Sequence, residues 1–143
     1  MPSLIHVRSL AIAFGLLFAF RSPGSFAHAT SDAVVKDLLT EAIAEYPGHE
    51  LNMITVTYPP GGSSKPHRHD AYVLVYVLKG AVEMKVKGAP LRRLEAGETF
   101  VERPADIHEI SRNASSEHPA TFLVVALKET SRPLTVPAPV TAP

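Results

Sequence analysis

Two histidines separated by a single residue, His67 and His69, are the clearest candidates for chemistry in this sequence. On a β-strand, residues i and i+2 point to the same face, so both imidazoles project together while Arg68 points the other way. Such a pair is a minimal metal chelate, which a third ligand from a distant strand would complete while leaving positions open for water or substrate. The alternative interpretation is a pair of solvated histidines at the start of a strand.

His108 is the best candidate for the third ligand. It follows the segment Gly97–Asp106, whose pattern predicts a strand, a turn at Pro104 and a second strand. The chain contains no cysteine, so any metal must be held by nitrogen and oxygen atoms. We therefore predict that His67, His69 and His108 bind one divalent metal ion.

Glu102 is the candidate catalytic residue. It has the same parity as Phe100 along a predicted strand, so both side chains point into the interior if Phe100 packs there. In that position Glu102 could be a fourth ligand, a partner that orients an imidazole, or an acid/base group. The alternative is a glutamate at the rim, paired with Arg103 or Arg68.

The rest of the sequence indicates an all-β domain that would position these residues. Short segments of alternating or β-branched residues are separated by turns every 8 to 12 residues, which is typical of a β-sandwich or a closed barrel. No long helical pattern lies between them, which argues against a βαβ arrangement. A closed barrel has a lumen in which a ligand can bind. The predicted strands are 51–58, 72–78, 81–87, 99–102, 107–111 and 121–127.

Residues 1–29 are predicted to be a signal peptide. Arg8 supplies the positive region, Leu10–Phe20 is an apolar run of the expected length, and Ala27–Ala29 has the small-x-small pattern of a cleavage site. We expect cleavage after Ala29, a periplasmic or secreted location, and no membrane association afterwards. The alternative is an uncleaved membrane anchor.

Two segments flank the predicted barrel of residues 51–128. Residues 30–50 form a lead-in with one apolar stripe, which favours either a short helix or an extended strand. Residues 129–143 form a tail rich in Pro and Ala, expected to be extended and partly disordered. The 14 basic and 14 acidic residues balance, and no basic surplus indicates a nucleic-acid partner.

Two motifs resemble those of the cupin superfamily. Gly61-x5-His67-x-His69, followed by Tyr76–Gly80, is similar to the first cupin motif, and Gly97–Phe100 through Pro104 to His108 and Asn113 is similar to the second. The resemblance covers Leu51 to Leu127 and is strongest to small single-domain cupins. It implies a double-stranded β-helix, or jelly-roll barrel, that holds a metal ion such as Fe, Mn, Zn or Ni.

The sequence departs from both motifs. The glutamate ligand expected four or five residues after the second histidine is replaced by Val73 or Leu74. The second motif lacks its usual glycine between Pro104 and His108, and Asn113 comes one residue late. The resemblance therefore implies a centre of three histidines without the family's carboxylate.

Two functions are compatible with these features. One is an exported metal-dependent enzyme, oxygenase- or isomerase-like, that acts on a small organic molecule. The other is a non-catalytic module, a sensor or carrier, that binds a metal or a small ligand. The orientation of Glu102 separates them, because a Glu102 that faces the three histidines favours the enzyme. We also expect a homodimer, since cupins often pair through edge strands.

Overall fold

The computed structural model describes residues 33–139, so the predicted signal peptide lies outside the described residues. Within this range the chain contains β-strands and no helix, which confirms the all-β prediction. The strands are β1 (Val34–Ala42), β2 (His49–Tyr58), β3 (Ser63–Ser64), β4 (His67–Arg68), β5 (Ala71–Lys79), β6 (Ala81–Val86), β7 (Arg92–Glu95), β8 (Thr99–Glu102), β9 (Ile107–Asn113), β10 (Ala120–Glu129) and β11 (Val136–Pro137).

The strands form two antiparallel sheets that enclose a cavity. In the first sheet the order is β1-β2-β10-β5-β8. In the second it is β11-β4-β9-β6-β7, and β3 also pairs with β9. This is the double-stranded β-helix that the resemblance to the cupin superfamily implies. The histidines belong to the second sheet, whereas Glu102 ends β8 at the edge of the first.

Strand β5 shows why the sequence folds in this way. Its side chains alternate strictly, with the valines buried inside the barrel and the larger residues between them exposed on the outer face. Valine favours pleated, half-buried positions, and each fully buried valine contributes roughly 1.5–3 kcal/mol by leaving water. The buried row is Ala71, Val73, Val75 and Val77.

The lead-in is a strand rather than a helix. Strand β1 pairs antiparallel with β2, and the register shifts between Asp37 and Leu39. An isolated helix of this length is marginal in water, whereas the edge of β2 offers a complete ladder of backbone partners. The extended alternative is therefore the correct one. The stripe that favoured a helix stays on the surface: Val34, Val35, Leu38 and Leu39 are all exposed.

The C-terminal segment also pairs with the barrel. Strand β11 lies antiparallel to β4, with Val136 opposite Arg68 and Pro137 opposite His67. The proline is tolerated because β11 is an edge strand, where one missing backbone N–H is harmless. Part of the segment predicted to be a tail thus lies beside the histidine pair. Between residues 33 and 139 there is no helix with the length and apolar character of a membrane crossing.

Candidate metal centre

The three predicted ligands meet at one point in the second sheet. His67 in β4 lies directly opposite His108 in β9, and His69 follows immediately after β4. One ring nitrogen from each of the three lies within 4.8 Å of the others. The ring of His67 is 4.9 Å from that of His69 and 5.1 Å from that of His108, measured between centroids. The histidines therefore form a group that could hold a metal ion.

Backbone carbonyls fix two of the rings. Nδ1 of His67 donates to the carbonyl of Lys65 at 2.7 Å, and Nδ1 of His69 donates to the carbonyl of Leu134 at 2.6 Å. With the proton on Nδ1, the Nε2 lone pair of each ring is free to bind a metal. Burial lowers the pKa of His67, and the neighbouring His69 and His108 lower it further, which favours the neutral ring that metals require.

Glu102 lies inside the barrel and not at its rim. Its side chain is 2% exposed, and Phe100 is buried with it, as the shared parity predicts. Oε2 of Glu102 is 3.1 Å from Nδ1 of His108 and 3.7 Å from Nε2 of His69. The rim alternative is wrong, because Arg68 pairs with Asp70 instead and Arg103 is exposed.

The histidines keep Glu102 ionised. Burial alone would raise the pKa of this carboxyl group, but the close approach of His108 and the electrostatic influence of all three histidines outweigh it and hold the pKa below the usual 4.5. His108 is itself almost completely buried, and its ring stacks on Phe100 with 5.8 Å between centroids. A negative group thus faces the histidines within the barrel.

Three buried atoms at this point have no hydrogen-bond partner: Oε2 of Glu102 and both ring nitrogens of His108. The 3.1 Å approach between Glu102 and His108 is close but poorly aligned for a hydrogen bond. Buried polar atoms without partners are costly and rare. All three belong to nitrogen and oxygen donors around one point, so the residues present fit a bound divalent cation.

The register of the first sheet relates Glu102 to the missing carboxylate. Val73, four residues after His69, pairs with Glu102 across β5 and β8. Both side chains are buried in the barrel. The valine occupies the position where the first motif has its glutamate, and a carboxylate stands opposite it on the neighbouring strand.

A cavity of about 800 Å³ opens beside the centre. This volume is typical of small-molecule sites, which are mostly apolar with a few polar groups. Most of the wall is apolar. Its polar residues include the histidines, Glu102 and a cluster of hydroxyls, together with Asp37, Lys65 and Thr135. The apolar wall includes Ile54, Val56, Val75, Met84, Phe122 and Val124.

Sequence reasoning missed two contributions to the site. The first is the carbonyl of Leu134, which lies in a segment of low sequence complexity and gives no side-chain signal. The second is Tyr58, whose hydroxyl bonds two serines inside the cavity. Asn113 makes turn contacts: its side-chain amide donates to the carbonyls of Pro59 and His118, and its oxygen accepts from the amide of Ser115.

Solved structures with the same fold include several enzymes. A DMSP lyase, DddQ from Ruegeria pomeroyi DSS-3, is 24% identical with a TM-score of 0.54, over 62% of this chain and 43% of that one. An oxalate oxidase in complex with glycolate is 26% identical with a TM-score of 0.59, over 84% and 61%. The polyketide cyclase RemF from Streptomyces resistomycificus is 19% identical with a TM-score of 0.58, over 78% and 74%.

The chain spans less than two thirds of the length of the lyase and of the oxidase. No curated protein is similar enough in sequence to count as a relative. The family model described as a cupin domain matches residues 54–126, just over half of the chain. These are the residues that build the barrel and carry all three histidines. The chain therefore belongs to the cupin domain family.

Proposed function

We propose that this protein is a metal-dependent enzyme that acts on a small organic molecule in the barrel cavity. In this proposal His67, His69 and His108 hold one divalent ion. The observation that supports it is the convergence of three imidazoles, whose ligand atoms lie within 4.8 Å of one another, at one end of a mainly apolar cavity. A substrate in the cavity would meet the ion at that end.

The donor set narrows the metal without identifying it. Neutral imidazole and carboxylate suit Fe, Mn, Zn or Ni, and thiolates are absent from the chain. When bound, such an ion polarises an oxygen atom of the substrate as a Lewis acid. The structural neighbours are a lyase, an oxidase and a cyclase, so the fold supports several reactions. Among these reaction types, we propose that this protein catalyses an oxygenase- or isomerase-like reaction.

Glu102 favours an enzyme over a passive binding module. The case for a sensor or carrier depended on the loss of the family's carboxylate, and Glu102 supplies one from the neighbouring strand. Its Oε2 is buried, ionised and without a hydrogen-bond partner. In the proposed reaction Glu102 exchanges a proton with the substrate at the centre, which is the ordinary role of a positioned carboxylate.

Metal content tests the site assignment directly. The purified protein, the His67→Ala variant and the His118→Ala variant are analysed for Fe, Mn, Ni and Zn after expression in the same medium. His118 is exposed and lies outside the group of three histidines, which makes it the matched control. We expect near-stoichiometric metal in the wild type and the control, and a large loss in His67→Ala. Equal metal in all three proteins contradicts the assignment.

Export and self-association stay proposals based on the sequence. Mass spectrometry of protein recovered from the periplasm or medium of a bacterial host tests export, and we expect a mature chain that begins at Thr30. An intact chain with Met1 retained in the membrane fraction would support the anchor instead. Sedimentation of the purified protein tests the homodimer.

A further inference from the structure

Three hydroxyl groups meet in the wall of the cavity, away from the histidines. The hydroxyl oxygen of Tyr58 is 2.5 Å from Oγ of Ser64 and 2.7 Å from Oγ of Ser111. Tyr58 is 1% exposed and Ser111 4% exposed, whereas Ser64 is half-buried. All three line the same cavity as the histidines. We call this group the hydroxyl cluster.

The hydroxyl cluster has one proton more than its internal hydrogen bonds use. Three hydroxyls carry three protons, and the two hydrogen bonds within the cluster use two of them. No other partner lies within hydrogen-bond distance of these three oxygens among residues 33–139. One O–H group is therefore left to donate, and Ser64, which is half-buried and lines the cavity, is the hydroxyl placed to offer it to a ligand.

The strand register places the hydroxyl cluster at a fixed distance from the metal centre. Ser64 pairs with Ser111, and three residues further along the same ladder His67 pairs with His108. Three residues of a strand span roughly 10 Å. In a regular strand, positions three apart face opposite sides, but the register shift against β6 inserts one extra residue between His108 and Ile110. This bulge lets both His108 and Ser111 face the cavity.

We propose that the hydroxyl cluster is a second binding subsite, which donates a hydrogen bond to an acceptor oxygen of the substrate. The inference rests on the proposed function, because the other end of the substrate binds the metal. The substrate class is then a compact, mainly apolar molecule with an oxygen ligand at one end and a carbonyl or carboxylate oxygen at the other. The apolar wall between the two ends contacts the middle of the molecule.

Two nearly isosteric catechols test the subsite. 3,4-Dihydroxyacetophenone and 4-ethylcatechol both offer two oxygens to a metal, but only the first has a carbonyl at the far end. Binding of each to the Zn²⁺-loaded protein is measured by calorimetry. We expect tighter binding of the ketone, and a fall of about 2- to 10-fold in the ratio of the two affinities in Ser64→Ala, the range expected for one neutral hydrogen bond.

Ser131→Ala is the matched control, because Ser131 is an exposed turn residue. Thermal unfolding of each variant shows that the fold is kept. An unchanged affinity ratio in Ser64→Ala overturns the subsite, even if both catechols bind. Catechol affinities that do not depend on Zn²⁺ overturn the proposed metal function, while the affinity ratio still tests the hydroxyl cluster. Failure of both catechols to bind overturns both.

Discussion

Val73 and Glu102 face each other across β5 and β8, and both side chains are buried inside the barrel. Cross-strand partners in a sheet project to the same face, with Cβ atoms about 5 Å apart. A carboxylate on either residue would therefore enter the same region beside His69 and His108. At the β5 position where the first motif has its glutamate this chain has Val73, and its acidic group lies on β8 inside the barrel.

The pairing of Val73 with Glu102 predicts that the carboxylate can be moved from β8 to β5 without loss of the metal centre. Glu102→Gln removes the charge next to the imidazoles, and we expect Zn²⁺ affinity to fall by about 10- to 100-fold, the range found when groups that support metal ligands are lost. The double variant Val73→Glu/Glu102→Val returns the acidic group to the position of the first motif and should recover most of the affinity. Competition with a fluorescent zinc chelator measures both.

Glu117→Gln is the control for the loss of one negative charge, because Glu117 is exposed. We expect it to bind Zn²⁺ as tightly as the wild type. If Glu102→Gln also binds normally, the carboxylate has no part in the centre. If the double variant is no better than Glu102→Val alone, the two positions are not equivalent.

Ala105 has a φ of 73°, the one non-glycine residue with positive φ among those described. It stands three residues before His108, where the second motif has glycine. A left-handed backbone conformation costs an L-residue roughly 1–2 kcal/mol. Glycine avoids this cost, but the greater entropy of its unfolded chain lowers stability by about 0.5–1 kcal/mol. Ala105→Gly should therefore raise the free energy of unfolding by about 0.5–1 kcal/mol, or roughly 2–5 °C in Tm.

Calorimetric unfolding measures this gain, with Ala96→Gly as the control. Ala96 is an exposed turn residue whose φ is not positive, so glycine there relieves no strain and we expect no gain. A Tm for Ala105→Gly at or below that of the wild type would show that the turn before His108 is unstrained.

The sequence predicted the barrel because burial repeats with the period of the strands. Alternation through β5 and the parity of Phe100 and Glu102 need only local geometry. This parity tied the direction of Glu102 to that of Phe100, but it left the rim alternative open. The helical alternative for β1 failed for a different reason. Its apolar stripe suits a helix, but the free edge of β2 decides its conformation. The distant β10 holds the other side of β2 in the sheet, and a local pattern does not show this pairing.

The site also combines features that a local sequence pattern predicts with features that only the folded structure reveals. His67, His69 and His108 could be picked out by type and spacing, because imidazole is a specific ligand. The carbonyl of Leu134 could not, since every residue has one and only the pairing of β11 with β4 brings this one to His69. Tyr58 was equally hidden, because its serine partners lie 6 and 53 residues away.

The contact between His69 and Leu134 predicts that the C-terminal segment supports metal binding. A truncation that ends at Arg132 removes this carbonyl and β11, so His69 loses the acceptor that fixes its ring. We expect Zn²⁺ affinity to fall about 10-fold or more. A truncation that ends at Val136 keeps Leu134 but removes part of β11 and should have a smaller effect. Equal affinity in both truncations and the wild type would show that the carbonyl of Leu134 does not position His69.

Tyr58 predicts how stability changes at high pH. Burial raises the pKa of Tyr58 above its usual value of 10; Glu102 raises it further, although hydrogen bonds from Ser111 and Ser64 offset part of the shift. The folded state therefore resists ionisation of this phenol. Its contribution to stability is complete below about pH 10 and is lost at higher pH, where the unfolded chain releases the proton first.

Tyr58→Phe isolates this effect, because other groups that titrate in the same range remain in both proteins. We expect the variant to lose about 1 kcal/mol at pH 8, where it lacks the two hydrogen bonds. Between pH 8 and pH 10.5 its urea midpoint should fall less than that of the wild type, because its core holds no phenol to ionise. Parallel falls in the two midpoints would mean that Tyr58 ionises as easily folded as unfolded, which its burial beside Ser111 does not allow.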